Sequence, residues 1–400
     1  MGSIIAGNTA NWMEIIVRSL IVYDLSGSAF MLGVVNGSKS LPLLFVGFLG
    51  GVLADRVDRR TLLMTSQLGS AVIAGALGVL MVTGNIEIWH FVAASVLEGV
   101  IGAVQQPARQ AMVPSVVPRE HLMNAIALSG SVWNISRMVG PALAGFAAAL
   151  AGPAAALFLE GGLYLVGAAA VLRVHFRHAE VSGDAAMGGR HGGHGGARRE
   201  REGWLASFRG YAYLKTNPVV AWLIVLALVP ILFSLANQAL APIFAKEILG
   251  MGAGGIGLLL AAPGVGSVAA TLIIASVGDF RHKGYLILGG VVAMGFATMI
   301  YGLSTSVWLS LGILVVHGFS MTWFRSINQT VVQLKTPDEY RGRVMAVYSA
   351  DRGLHPVSTL AITLMTDVWG APFAVALTGM GCVVVALGVA LASRTLRELD

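Results

Sequence analysis

Four hundred residues with a formal net charge of +6, 56% apolar, only 12% charged and with a mean hydropathy of +0.76 lie well outside soluble globular composition. These values exclude a water-soluble catalyst and a charged disordered chain, and they identify an integral membrane protein. The lone Cys382 excludes an internal disulfide framework.

A spanning helix needs roughly 20 mostly apolar residues. Twelve such segments follow one another, near 3–24, 29–53, 61–83, 87–108, 122–150, 152–174, 218–246, 254–278, 285–303, 306–334, 342–368 and 370–393. Lipid tolerates no open sheet edge, and the runs are too long for barrel strands, so the expected fold is all-α: a polytopic protein with two pseudo-symmetric six-helix bundles. The expected domains are 1–174, a linker at 175–217 and 218–400. No cleavable signal peptide is expected, because the first apolar segment starts almost at Met1 and leads into an acidic turn at Asp24.

Alternate loops hold 20 of the 26 Lys and Arg residues, whereas the opposite loops hold only Lys246. The positive-inside rule therefore puts both termini in the cytoplasm. Topology and anionic headgroups account for the basic charge, with no need for nucleic acid. The linker centre, Met187-Gly-Gly-Arg-His-Gly-Gly-His, lacks the apolar residues to form a core. Its His191 and His194 sit on a floppy glycine tract and make a poor metal site, so no metal or cofactor is expected. The segment from Trp204 to Lys215 has the aromatic and basic spacing of a surface helix.

The two halves echo each other. Asp55 with its basic followers has a counterpart in Asp279-Phe-Arg-His-Lys283, 224 residues on, and Pro118-Arg-Glu has one in Pro337-Asp-Glu, 219 residues on. Internal duplication of this kind is typical of transporters.

Charged groups inside spans cost several kcal/mol unless paired or wetted, and each is a functional candidate. Glu14 and Arg18 share a helix face at i,i+4: either a local ion pair, or a proton carrier with its modulator. Lys39 has no acid on its own helix, so it either recognises an anionic cargo group or pairs with Glu98 or Glu160. Glu98 and Arg137 lie at matching depths and form a possible second pair. His317, Glu98 and Asp351 join Glu14 as proton-coupling candidates. Asp351 has a same-face neighbour in His355. Arg18, Lys39, Asn134, Arg137, Asn237, Gln238 and Arg325 are the substrate-cavity candidates, and two or three span aromatics such as Trp12 and Trp133 are expected to touch cargo.

The loop Gly51-Val-Leu-Ala-Asp55-Arg56-Val-Asp-Arg59-Arg60 resembles the motif between the second and third helices of major facilitator superfamily transporters, with Asp58 in place of the usual second glycine, which implies a less sharp turn. The resemblance implies a conformational latch at Gly51, Asp55, Arg56, Arg59 and Arg60. Trp12-Met13, Gln106-Pro107-Ala-Arg-Gln, Asn124-Ala-Ile-Ala-Leu128 and Pro337-Asp-Glu-Tyr-Arg-Gly-Arg narrow it to the branch of enterobactin and macrolide exporters. Gly140-Pro141-x-x-x-Gly145 is similar to the fifth-helix motif of exporters and antiporters, with Ser136 where a glycine is usual.

The resemblance implies a monomeric secondary transporter of a bacterial inner membrane. The expected activity is export of an amphipathic small molecule, siderophore-like or a hydrophobic drug, in exchange for protons, without enzymatic activity. The absence of a Gly-x-x-x-x-Gly-Lys-Ser/Thr loop excludes that route to ATP-driven transport. The rival expectations are movement of a lysophospholipid or other solute, and a non-transporting scaffold or sensor.

Overall fold

The computed structural model describes residues 2–40, 42, 57–116, 122–172, 214, 217–277, 280–349, 354–397 and 399. Every regular element among them is helical, as an interior of lipid demands. The first half contains α1 (Gly2–Ser26), α2 (29–40), α3 (Arg59–Val82), α4 (Ile88–Val116), α5 (Leu122–Ala151) and α6 (Pro153–Leu172). The second contains α7 (Pro218–Phe233), α8 (Gly252–Val277), α9 (Lys283–Leu303), α10 (Val307–Lys335), α11 (Asp338–Ser349), α12 (His355–Trp369), α13 (Ala371–Ala392) and the short α14 (Arg394–Arg397).

Among the described residues eight helices are long and apolar enough to cross a bilayer. Their outer faces leave Trp308, Leu391, Val72 and Leu272 exposed, a belt that water would not tolerate and lipid does. α1 carries Asn8, Asn11, Glu14 and Arg18, and it buries Asn8, Glu14 and Arg18.

One predicted span is less regular than expected. α7 loses its regular helix after Phe233 and continues as a 3₁₀ turn (Leu235–Leu240) and a π turn (Phe244–Ile248). Pro230 and Pro242 supply the reason, since neither has an N–H for the helical ladder. The eleventh span, expected over 342–368, is seen as α11 and α12, and residues 350–353 between them lie outside the described residues.

Packing repeats in the two halves. α1 lies on α5 and α6, and α3 on α4 and α6; α7 lies on α12 and α13, and α9 on α10 and α13. α5 and α8 join the halves. There Gly257 approaches so closely that a Cβ would stand 2.8 Å from the Pro141 carbonyl oxygen and 3.3 Å from the Gly145 Cα. Gly140 turns the other way, onto α1, where a Cβ would meet the Thr9 carbonyl oxygen at 2.8 Å. The Gly140-Pro141-x-x-x-Gly145 motif thus works as a double contact surface built from small residues.

The two ends of the molecule differ. At the end holding Arg60, Lys283 and Lys335, here the basic end, each half has its own core, around Leu62, Leu63 and Val171 in the first and Phe324, Val331 and Val389 in the second. At the other end one continuous core joins both halves, from Leu20, Leu32 and Leu157 to Phe244, Ile256 and Val375. Polar contacts finish that seal. Asp367, at the end of α12, accepts from Ala29 N (3.0 Å), Phe30 N (3.1 Å) and Ser28 Oγ (3.0 Å), capping the start of α2 across the two halves. Tyr23 donates to Glu247, and Lys246 pairs with Asp24.

Candidate functional site

A buried ion network occupies the middle of the first half. α1 presents Asn11, Glu14 and Arg18 at helical spacing on one face. The Glu14 carboxylate receives Lys39 Nζ of α2 at 2.8 Å on both oxygens, Arg18 Nη1 at 2.9 Å and the Tyr164 hydroxyl of α6 at 3.4 Å. Lys39 also donates to Asn11 Oδ1 at 3.3 Å. Arg18 reaches α4, donating to Ser95 Oγ at 3.4 Å, with its Nη2 lying 3.9 Å from Glu98 Oε1. Ser70 of α3 donates to Glu98 Oε2 at 3.0 Å. Glu160, one turn before Tyr164 and within electrostatic range of Arg18, is fully buried with no hydrogen-bond partner at either oxygen. Lys39, with 29% of its side chain exposed, is the most open of the charged groups.

Three carboxyl groups therefore face two permanent or near-permanent cations. Fully ionised, the cluster carries one unit of excess negative charge; a single proton balances it. Buried charge without compensation is expensive, whereas a carboxylic acid costs far less.

The predicted residues are thus regrouped. Glu14 and Arg18 do pair, but within a larger set. Lys39 pairs with Glu14, not with Glu98 or Glu160. The expected Glu98–Arg137 pair is not formed: Glu98 faces Arg18 and Ser70, and Arg137 lies over the Trp12 ring at 5.6 Å. Equal depth does not ensure equal azimuth on two helices. Trp12 itself packs edge-on to Trp133 at 5.6 Å, and Arg109 covers Trp133 at 5.4 Å. Sequence reasoning missed Ser70, Ser95 and Tyr164; the i,i+3 and i,i+4 spacings of Ser95 to Glu98 and Glu160 to Tyr164 were the available signal.

His317 stands apart from the network, in the second half, where it contacts the Ser234 hydroxyl and lines a cavity with Asn237 and Gln238. Arg325 lies on α10, partly buried. Gly51, Asp55, Arg56 and Asp351 lie outside the described residues, as do the side chains of Arg59 and Asn134 and most of the 175–217 linker. Of the loop's basic residues, Arg60 is described, donating to the Leu172 carbonyl. Asp58, expected only to blunt a turn, caps α3: its Oδ2 accepts from Thr61 N and Thr61 Oγ1, both at 3.2 Å. Among the described residues no group of three His, Cys, Asp or Glu could hold a metal ion.

The family model for transmembrane secretion effectors matches residues 2–400. The chain belongs to this family of major facilitator transporters. It is a membrane transporter of small molecules and not an enzyme. The chain is 22% identical to the staphyloferrin A transporter of Staphylococcus aureus, over 97% of its own length and 94% of that protein. It is also 22% identical to macrolide efflux protein A of Streptococcus pyogenes, over 96% of its length and 93% of the relative. Its fold matches an inward-facing, occupied structure of a bacterial homologue of the human lysosomal transporter Spinster, with a TM-score of 0.73 at 13% identity, covering 100% of this chain and 97% of the other.

Proposed function

We propose that the protein is a proton-coupled exporter of an amphipathic small molecule, working by alternating access. The observation that carries this is the unbalanced ion network of Glu14, Arg18, Lys39, Glu98 and Glu160, whose charge one proton completes. Glu160 is the resting place of that proton, because neither of its oxygens has a donor to stabilise a negative charge. Glu14, held by two cations and Tyr164, remains the fixed anion of the set.

Movement of Lys39 or Arg18 away from Glu14 during a change of state would free a second carboxylate, and the proton is then exchanged. Lys39 lies on α2, the helix whose start is capped by Asp367 across the seal, so opening that seal and disturbing the network are mechanically linked.

The basic end faces the cytoplasm of a bacterial inner membrane, and both termini lie there; the continuous core and the Asp367 cap then close the outer side, leaving an inward-facing state. The relatives named for staphyloferrin A and macrolides support a siderophore-like metabolite or a hydrophobic drug as cargo. In this state Lys39 bonds Glu14 and Asn11, which leaves an anionic cargo group no cation of its own there.

The test is proton movement in proteoliposomes of known orientation, challenged with siderophores, macrolides, other lipophilic drugs and lysophospholipids. Ligand-driven proton flux is expected, and Glu160→Gln and Glu14→Gln abolish it. Undiminished flux in Glu160→Gln removes that residue from the coupling. Flux with lysophospholipid alone reassigns the cargo, and ligand binding without any flux reassigns the protein to a non-transporting role.

A further inference from the structure

At the basic end the two halves secure the start of their third helix in different ways. The 224-residue offset that relates Asp55 to Asp279 also relates Asp58 to His282 and Arg60 to Gly284. In the first half the Asp58 side chain caps α3 through Thr61, and Arg60 ties that helix start to the Leu172 carbonyl at the end of α6. Their counterparts do neither. Glycine has no side chain to reach with, and His282, although it stands at the cap position of α9, makes no side-chain hydrogen bond to the first turn.

Both tasks fall to segment 393–399, which follows α13 and of which residue 398 lies outside the described residues. It folds back over the start of α9, and its short helix α14 is begun by the Ser393 hydroxyl, which accepts from Leu396 N at 3.2 Å. The Leu399 carbonyl accepts from Gly284 N at 3.2 Å, so it satisfies a first-turn N–H for which the helix itself has no acceptor. Leu396 and Leu399 are buried in one core with Val220 of α7, Ile287 of α9, Val344 of α11 and Val389 of α13. The approach needs a glycine: a Cβ at residue 284 would stand 1.8 Å from the Leu396 carbonyl oxygen and 2.9 Å from that of Arg397. His282 carries the cost. Its φ of 60° makes it the one non-glycine residue with positive φ among the described residues, a conformation that persists only where the surroundings impose it.

We propose that segment 393–399 is a releasable strap: it caps α9 and binds it to the end of α13, where the first half uses the side chains of Asp58 and Arg60. The basic end of the second half then holds together only while the strap is docked, and the loop before α9, counterpart of the 51–60 loop, is fixed or freed with it. The strap lies beyond α13, so its release breaks no membrane helix. The proposal is independent of the proton coupling and of the cargo.

The test is hydrogen–deuterium exchange of the full chain in lipid nanodiscs, read at residues 283–287, with residues 59–63 of α3 as the internal reference. Two variants undock the strap. One stops the chain after Ser393; the other, Gly284→Ala, drives a Cβ into the Leu396 carbonyl although alanine is the better helix former. Each is expected to speed exchange at 283–287 at least tenfold and to leave the start of α3 within twofold. Gly289→Ala, on the same helix but facing open space, leaves both regions within twofold. His282→Asp puts the first half's capping residue at the equivalent position, and added to either variant it is expected to bring exchange back to within threefold of the parent chain. Melting curves establish that each variant is folded, and where the shortened chain is not, Gly284→Ala with and without His282→Asp carries the test. Parental exchange in Gly284→Ala overturns the strap. Fast exchange that His282→Asp leaves untouched overturns it as well, because the segment would then pack against α9 without capping it.

Discussion

Glu14 is the residue on which most of the buried charge depends. Removing one partner from a buried ion pair typically costs about 3–5 kcal/mol, because the other charge is left stranded. Glu14→Ala strands Lys39 and Arg18 together and is expected to lower the melting temperature in detergent more than any other single change in the network. Glu160→Gln is expected to behave in the opposite way, leaving the melting temperature nearly unchanged, since no donor to Glu160 is lost, while it stops ligand-driven proton flux. A large thermal loss in Glu160→Gln would mean that the carboxyl is a structural partner. Asp58→Ala removes the two bonds that cap α3 and is expected to cost about 1 kcal/mol, read by the same melt. At this scale the sequence showed which residues were costly, since any charge in a span is conspicuous. It did not show their partners. Glu14 with Arg18 was legible from i,i+4 spacing alone, whereas Glu14 with Lys39 requires α2 to be laid against α1, and Arg137 turns to Trp12 because of how α5 is rotated.

Among the elements, α5 and α8 show why small residues matter more than hydrophobic ones between helices in a membrane: lipid already satisfies an apolar surface, so association relies on close fit. Gly257→Val would drive a side chain into the backbone of Pro141, and overpacking of this kind typically costs about 1–3 kcal/mol. A lower melting temperature is expected, while Gly289→Ala, where an added Cβ meets nothing within 4 Å, leaves it unchanged or raises it. Equal behaviour of the two variants would show that the α5–α8 contact is not tight. The long apolar helices were readable from hydropathy, because a backbone in lipid has to bond to itself. The irregular course of α7 after Phe233 was not, although Pro230 and Pro242 mark where the ladder lacks donors; hydropathy averages over such a break.

Taken as a whole, the molecule is one body at one end and two at the other, and its polar seal depends on Asp367 holding the first turn of α2. Asp367→Ala leaves two backbone N–H groups without that acceptor and is expected to shift the population toward an opened seal. Spin labels at Asn85 and Ser306, in exposed turns of the two halves, are expected to show a longer distance component in the variant; an unchanged distance distribution would show that the apolar core alone holds the end shut. By itself the amino-acid sequence determined the solvent, the helical class and the duplicated plan, because each is a periodic or compositional property that survives averaging along the chain, while its local motifs carried the family resemblance. Only the tertiary structure decided which charges meet, that Glu14, Arg18, Lys39 and Glu98 form one network in the first half while His317 bonds Ser234 apart from it, and which end is closed. Those depend on the rotation and approach of helices far apart in sequence, set by side-chain fit at a few points of contact.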